Sequence, residues 1–136
     1  MKVLKFGGTS VGSPERMRAL IPLISSDEKK IVVLSAMSGT TNSLVEIADL
    51  LNSGKAVEAT DKTDVLKQNY HTVADELYTY GGTREIGHGI INSHFSYIHS
   101  FTTGAFTRIQ EKAILAQGEL LSTSLFHLLL QEMDIR

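Results

Sequence analysis

The stretch Ile31-Val32-Val33-Leu34, followed by Ser35-Ala36-Met37-Ser38-Gly39-Thr40-Thr41, decides the fold. The first four residues are uncharged and mostly β-branched, and read as a strand buried on both faces. The seven that follow are nearly all small or hydroxyl-bearing, which is the composition of a turn. A helix is expected from near Asn42 to about Asn52, with Leu44, Ile47, Ala48 and Leu51 on one face and Gly54 placed to end it.

The same grammar occurs upstream. Val3-Leu4-Lys5-Phe6 is a short, mostly buried strand stopped by Gly7-Gly8. Ser13-Pro14-Glu15 is a helix start: a good N-cap, a proline that tolerates the first helical position, and an acid where the dipole favours one. Met17, Leu20, Ile21 and Ile24 follow at helical spacing, interrupted by Pro22, which should kink or shorten the helix. Two strands joined by a helix form a βαβ unit, so they are expected to be parallel. Their carboxyl ends then lie on one side, where ligands bind in open α/β sheets. Lys5–Gly12 and Ser35–Thr41 should therefore meet at one site.

The remainder reads as helical. Asp61 is a candidate cap for a helix carrying Leu66, Tyr70, Val73, Leu77 and Tyr80, broken by Gly81-Gly82. Ile91, Phe95, Ile98 and Phe101 mark a second helix whose start is blurred by Gly87 and Gly89. Thr107 to Met133 is a third segment, either one bent helix or two, with Gly118 in its middle. Two strands make a poor parallel sheet by themselves, so a larger sheet is expected around them.

The chain has 136 residues, 42% hydrophobic and 21% charged, enough apolar material for a core. A net charge of -2 gives no general reason to expect nucleic acid or an anionic membrane, so any anion site must be local. Cysteine is absent, which excludes disulfides and suits a reducing cytoplasm. No run approaches the ~20 apolar residues of a membrane helix. The five histidines, His71, His88, His94, His99 and His127, lack HExxH-type spacing, and no metal ligands are assigned.

The first turn, Lys5-Phe6-Gly7-Gly8-Thr9-Ser10-Val11-Gly12, carries the chemistry. Glycines let the backbone approach an anion, and a neighbouring lysine supplies a compact positive charge. It is not a Walker A loop, because Ser13 follows Gly12 where that motif needs lysine. Without further information, Gly7-Gly8 reads equally well as a plain tight turn, and Glu119 as a solvated charge.

Three segments together resemble the aspartokinases: Lys5–Gly12, the run Leu34–Asn42, and Gln117-Gly118-Glu119-Leu120-Leu121-Ser122. They occur in the order and at the spacing of that family. The resemblance implies an α/β fold, the N-terminal portion of a three-layer α/β/α amino-acid-kinase sandwich, over residues 1–136. The nucleotide half and the regulatory domains are absent from this stretch. It implies transfer of the γ-phosphoryl group of ATP to the side-chain carboxylate of L-aspartate, with Mg²⁺ accompanying ATP, in a cytoplasmic homo-oligomer. It implies that Lys5 neutralises the transferring group, that Lys5, Phe6, Gly7 and Gly8 hold the ATP phosphates, and that Ser35, Thr41 and Glu119 hold aspartate. The segment by itself is expected to be inactive. The alternatives are another enzyme of the same fold, or a non-catalytic interaction module.

Overall fold

A computed structural model describes all 136 residues. Strand β1 (Lys2–Phe6) pairs in parallel with β2 (Lys30–Leu34), Lys2 opposite Lys30 and Phe6 opposite Leu34. Between them lie α1 (Pro14–Ala19) and α2 (Ile21–Ile24), and after β2 come α3 (Thr40–Asn52), α4 (Ala56–Leu77), α5 (Gly81–His99) and α6 (Arg108–Glu132). A short 3-10 turn, Ser100–Thr102, follows α5. The parallel pairing and the strand–helix order are as the sequence implies.

The expectation that Ile31–Leu34 is buried on both faces, and Val3–Phe6 mostly buried, is corrected. Leu4, Phe6, Val32 and Leu34 face the helices, while Val3, Ile31 and Val33 are exposed at 65%, 48% and 42% beside Lys5. In a parallel pair, alternate residues share a face, so the outward positions form one apolar stripe with Lys5 near its end. The helices of these 136 residues cover the other face only.

Ser13 caps α1, its Oγ accepting from the Arg16 N–H at 3.2 Å. The helix stops at Leu20 and restarts as α2, with Pro22 in its first turn, so the proline shortens as expected. Asp61 does not cap a helix. α4 begins five residues earlier at Ala56, because Ala59 and Thr63 are already buried against α3 and the left-handed Gly54 (φ 73°) lets the chain fold straight back. Nor do Gly81 and Gly82 break a helix: the break is Tyr78–Tyr80, and these glycines open α5. Tyr78 explains the break. Its ring is buried, its hydroxyl donates to the Leu125 carbonyl at 2.7 Å, and it fills the space where a Cβ on Gly87 would stand. Burial, and then the charge of Glu132, pushes its phenol well above the ordinary 10.

α6 is one helix. Thr107 and Gln110 form a reciprocal capping box at its start, and Gly118 packs rather than bends. Ile91, Phe95, Ile114, Leu121 and Leu125 are fully buried where α3, α4, α5 and α6 meet. Each large apolar side chain buried there contributes about 1.5–3 kcal/mol. By length and composition alone, α6 is apolar enough to cross a membrane, contrary to the sequence expectation, but half of its most apolar stretch is buried inside this helical cluster. A long core helix has that character.

Candidate active site

The two turns do meet. β1 and β2 end side by side, and the Ser35 N–H donates to the Phe6 carbonyl at 3.0 Å, carrying the parallel ladder one residue into the turns. Beyond it, the Ser38 hydroxyl donates to the Gly8 carbonyl at 3.1 Å. A Cβ on Gly8 would stand 3.1 Å from the Ala36 carbonyl oxygen, so a larger residue there would push the turns apart.

The first turn is wound like the start of a helix. The Gly7 carbonyl accepts from Ser10 N–H at 3.0 Å and Val11 N–H at 3.3 Å. No backbone carbonyl takes the N–H groups of Gly7, Gly8 or Thr9. Arg16 from α1 donates to the Thr9 carbonyl at 3.1 Å, adding a cation beside the turn. Free donors with nearby positive charge are what a phosphate group needs.

The second turn delivers the chain into α3. Gly39 occupies the N-cap position at φ 81°, a conformation that favours glycine, and provides no side-chain cap. Thr41 is the second residue of the helix, one residue before the start near Asn42 that the sequence suggests. The N–H groups of Thr41 and Asn42 have no backbone acceptor and remain open. With the helix dipole they make the mouth of α3 attractive to a carboxylate or phosphate.

α6 closes the far side. Gly118 is buried, and a Cβ there would stand 2.9 Å from the Ala36 Cβ, so the absent side chain lets α6 lie directly on the second turn. One helical turn on, the buried Ser122 hydroxyl donates to the Ser35 carbonyl at 2.6 Å. Glu119, between these two contacts in sequence, is exposed and has no ion-pair partner. Beneath the turn, Thr40 and Tyr70 share a buried hydrogen bond of 2.7 Å. Burial raises the Tyr70 phenol to about 12, partly offset by that bond, so it stays protonated at physiological pH.

The result is a cavity of about 250 Å³ lined by Gly8, Ser35, Ala36, Met37, Ser38, Gly39, Thr41, Asn42 and Glu119. Of the residues the sequence singled out, Gly8, Ser35, Thr41 and Glu119 are brought together. Lys5, Phe6 and Gly7 do not line the cavity. Lys5 points from the open face of the sheet, and Phe6 packs against the core, leaving only its backbone near the site. Ser38, Gly39 and Asn42 line the cavity but were not singled out. Gly118 and Ser122, which seat α6, have a sequence signal: they are four apart and so share one helix face. No group of three or more His, Asp or Glu side chains is placed to hold a metal ion, so these residues offer no three-ligand set of their own for Mg²⁺.

With this geometry in view, comparison with known proteins gives the class. The amino acid kinase family matches across residues 1–136, and the chain belongs to that family. Its relatives are aspartokinases. The chain is 32% identical over 133 residues to aspartokinase 2, chloroplastic, of Arabidopsis thaliana, covering 91% of this chain and 23% of that protein. It is 30% identical over 135 residues to the lysine-sensitive aspartokinase 3 of Escherichia coli, covering 98% and 29%. The solved structure of E. coli aspartokinase III in complex with aspartate and ADP superposes with a TM-score of 0.75 at 28% identity, covering all of this chain and 30% of that one. The complex with lysine and aspartate gives 0.76 at 29% identity, with the same coverage. The chain thus spans under a third of the length of these relatives.

Proposed function

We propose that this chain forms the aspartate-binding and phosphate-binding side of an aspartate kinase, which transfers the γ-phosphoryl group of ATP to the side-chain carboxylate of L-aspartate to give 4-phospho-L-aspartate. The observation that carries the reading is the pairing, in one cavity, of the unpartnered Glu119 carboxylate with the uncapped start of α3. An amino acid presents an ammonium and a carboxylate, and these two features complement them. Ser35 and Thr41 line the same cavity and supply hydroxyl groups for orientation. The free amides of Gly7 and Gly8, with Lys5 at the end of β1, are the phosphate side.

The chemistry asks little more. A carboxylate oxygen attacks the γ-phosphorus, the bond to the bridging oxygen breaks, and ADP leaves. The nucleophile is already ionised, so no general base is needed, and positioning with charge neutralisation does most of the work. The bare apolar stripe of Val3, Ile31 and Val33, together with the short coverage of the relatives, supports reading these residues as the N-terminal part of a larger kinase domain.

The test is a chimera in which this segment replaces the matching part of the E. coli lysine-sensitive enzyme. It should form aspartyl phosphate. In that chimera Lys5→Ala should lower kcat by about 10²–10³, the scale of one electrostatic contact to a transferring group. Glu119→Ala should raise the KM for aspartate and leave that for ATP. Normal turnover without Lys5, or a change confined to the KM for ATP, would reject these roles.

A further inference from the structure

The outer face of the α4–α5 hairpin carries a cross-braced histidine pair. Each helix contributes one histidine and, one turn later, one acceptor: His71 and Asp75 on α4, His88 and Asn92 on α5. Each histidine reaches the acceptor of the opposite helix. His71 Nε2 lies 3.1 Å from Asn92 Oδ1, and His88 Nε2 lies 2.8 Å from Asp75 Oδ1. An oxygen accepts, so both Nε2 atoms carry the hydrogen, and each neutral ring then has its lone pair on Nδ1.

Those two Nδ1 atoms face each other at 2.5 Å, with ring centroids 4.8 Å apart and planes inclined by 31°. Two lone pairs at that separation repel unless a cation stands between them. A proton can serve, and so can a metal ion. The outer contacts favour the metal. A ligating histidine characteristically donates its second N–H to a carboxylate or carbonyl oxygen, which fixes ring and tautomer. Both rings here are tied in that way before any ion arrives. Neither is sealed from solvent, the His88 side chain being 29% exposed, so a hydrated ion can reach them.

We propose that His71 and His88 bind one divalent transition-metal ion of the imidazole-preferring class, Zn²⁺ or Cu²⁺, through their Nδ1 atoms. Asp75 and Asn92 orient the rings, and water completes the coordination. Zinc–nitrogen bonds of about 2.0–2.1 Å in tetrahedral geometry require the two Nδ1 atoms to part by about 1 Å, a movement available to partly exposed side chains. With no third protein ligand the ion is exchangeable. None of the four residues lines the candidate active site, so the proposal stands apart from the kinase reading.

The experiment is calorimetric titration of Zn²⁺ alone into the 136-residue chain in a non-coordinating buffer, with Cu²⁺ followed by electron paramagnetic resonance. One ion per chain is expected, with a two-nitrogen signature for copper. His71→Gln and His88→Gln should each abolish the site, and His127→Gln should leave it unchanged. Asp75→Asn keeps both imidazoles and should weaken binding by about 10–100-fold, the usual scale for an outer partner. Circular dichroism identifies any variant that fails to fold, and the Asp75→Asn result then decides. The proposal is overturned if the wild-type chain binds no ion, leaving only a hydrogen-bonded strap between helices. It is equally overturned if binding is indifferent to His71 and His88.

Discussion

The two turns that meet at the candidate site are held in opposite ways. The second, from Ser35 to Gly39, is wedged between α6 and the start of α3, with Ala36 and Met37 buried, Gly118 pressed against Ala36, and its first carbonyl taken by Ser122. The first, from Gly7 to Gly12, is held by its own winding, by Ser38, and by Arg16, and nothing lies within 4 Å of where a Cβ on Gly7 would stand. The wedged turn takes its shape from tertiary packing. The first turn is anchored in the core at its far end by the buried Val11, but from Gly7 to Thr9 it takes its shape from local hydrogen bonds and keeps its amides free. The function proposed above, an amino acid held beside a phosphate chain, has use for both: one packed wall, and one strip of free donors.

That contrast can be broken most forcefully at Gly118. Gly118→Val would drive a branched side chain into Ala36, Thr40 and Leu44, and should cost about 3 kcal/mol, the upper part of the overpacking range. Chemical denaturation should show it, and an unchanged midpoint would mean that α6 does not wedge the turn. Ser122→Ala should cost about 2 kcal/mol, because the Ser35 carbonyl loses its buried donor. Gly39→Ala strains a left-handed backbone without any clash, and about 1 kcal/mol is expected. Gly7→Ala meets open space at ordinary φ and should change stability by less than about 0.5 kcal/mol. A stability loss at Gly7 matching that at Gly118 would erase the distinction between the turns.

The far end of α6 gives the smallest effect and sets its direction by pH. Partial burial alone would raise the Glu132 pKa, but the N–H groups of Thr79 and Tyr80, the Thr83 hydroxyl and Arg18 outweigh it and hold it below the ordinary 4.5. A depressed carboxylate stabilises the fold above its unfolded pKa and loses that contribution as pH falls through the folded one. Stability should therefore decline below about pH 4.5 through this group. Glu132→Gln should flatten that part of the profile while leaving the wedged turn intact. A profile with the same slope in the variant would remove Glu132 as the cause.

Much of this was legible from local pattern. The βαβ unit, the Ser13 cap, the break at Pro22 and the meeting of two glycine turns follow from period, capping chemistry and strand direction, all of which act over a few residues. The misplaced helix boundaries have one cause. Asp61 and Gly81-Gly82 were given boundary roles by propensity, but α4 starts where Ala59 finds α3, and the chain breaks where Tyr78 finds Gly87 and Leu125. Those partners lie far away in sequence or across a turn.

By itself, then, the sequence determined the parallel strand pair, the glycine turns at their ends, and the amino-acid-kinase family that those turns announce, because backbone freedom and hydrophobic period are properties of adjacent residues. Only the tertiary structure decided that Thr41 and Asn42 present an uncapped helix start, that Ser122 fixes Ser35, and that one sheet face stays bare. It also decided that His71 and His88 aim their nitrogens at one another. Each of these depends on which distant surfaces bury each other, and burial is settled by the whole packed chain rather than by any stretch of it.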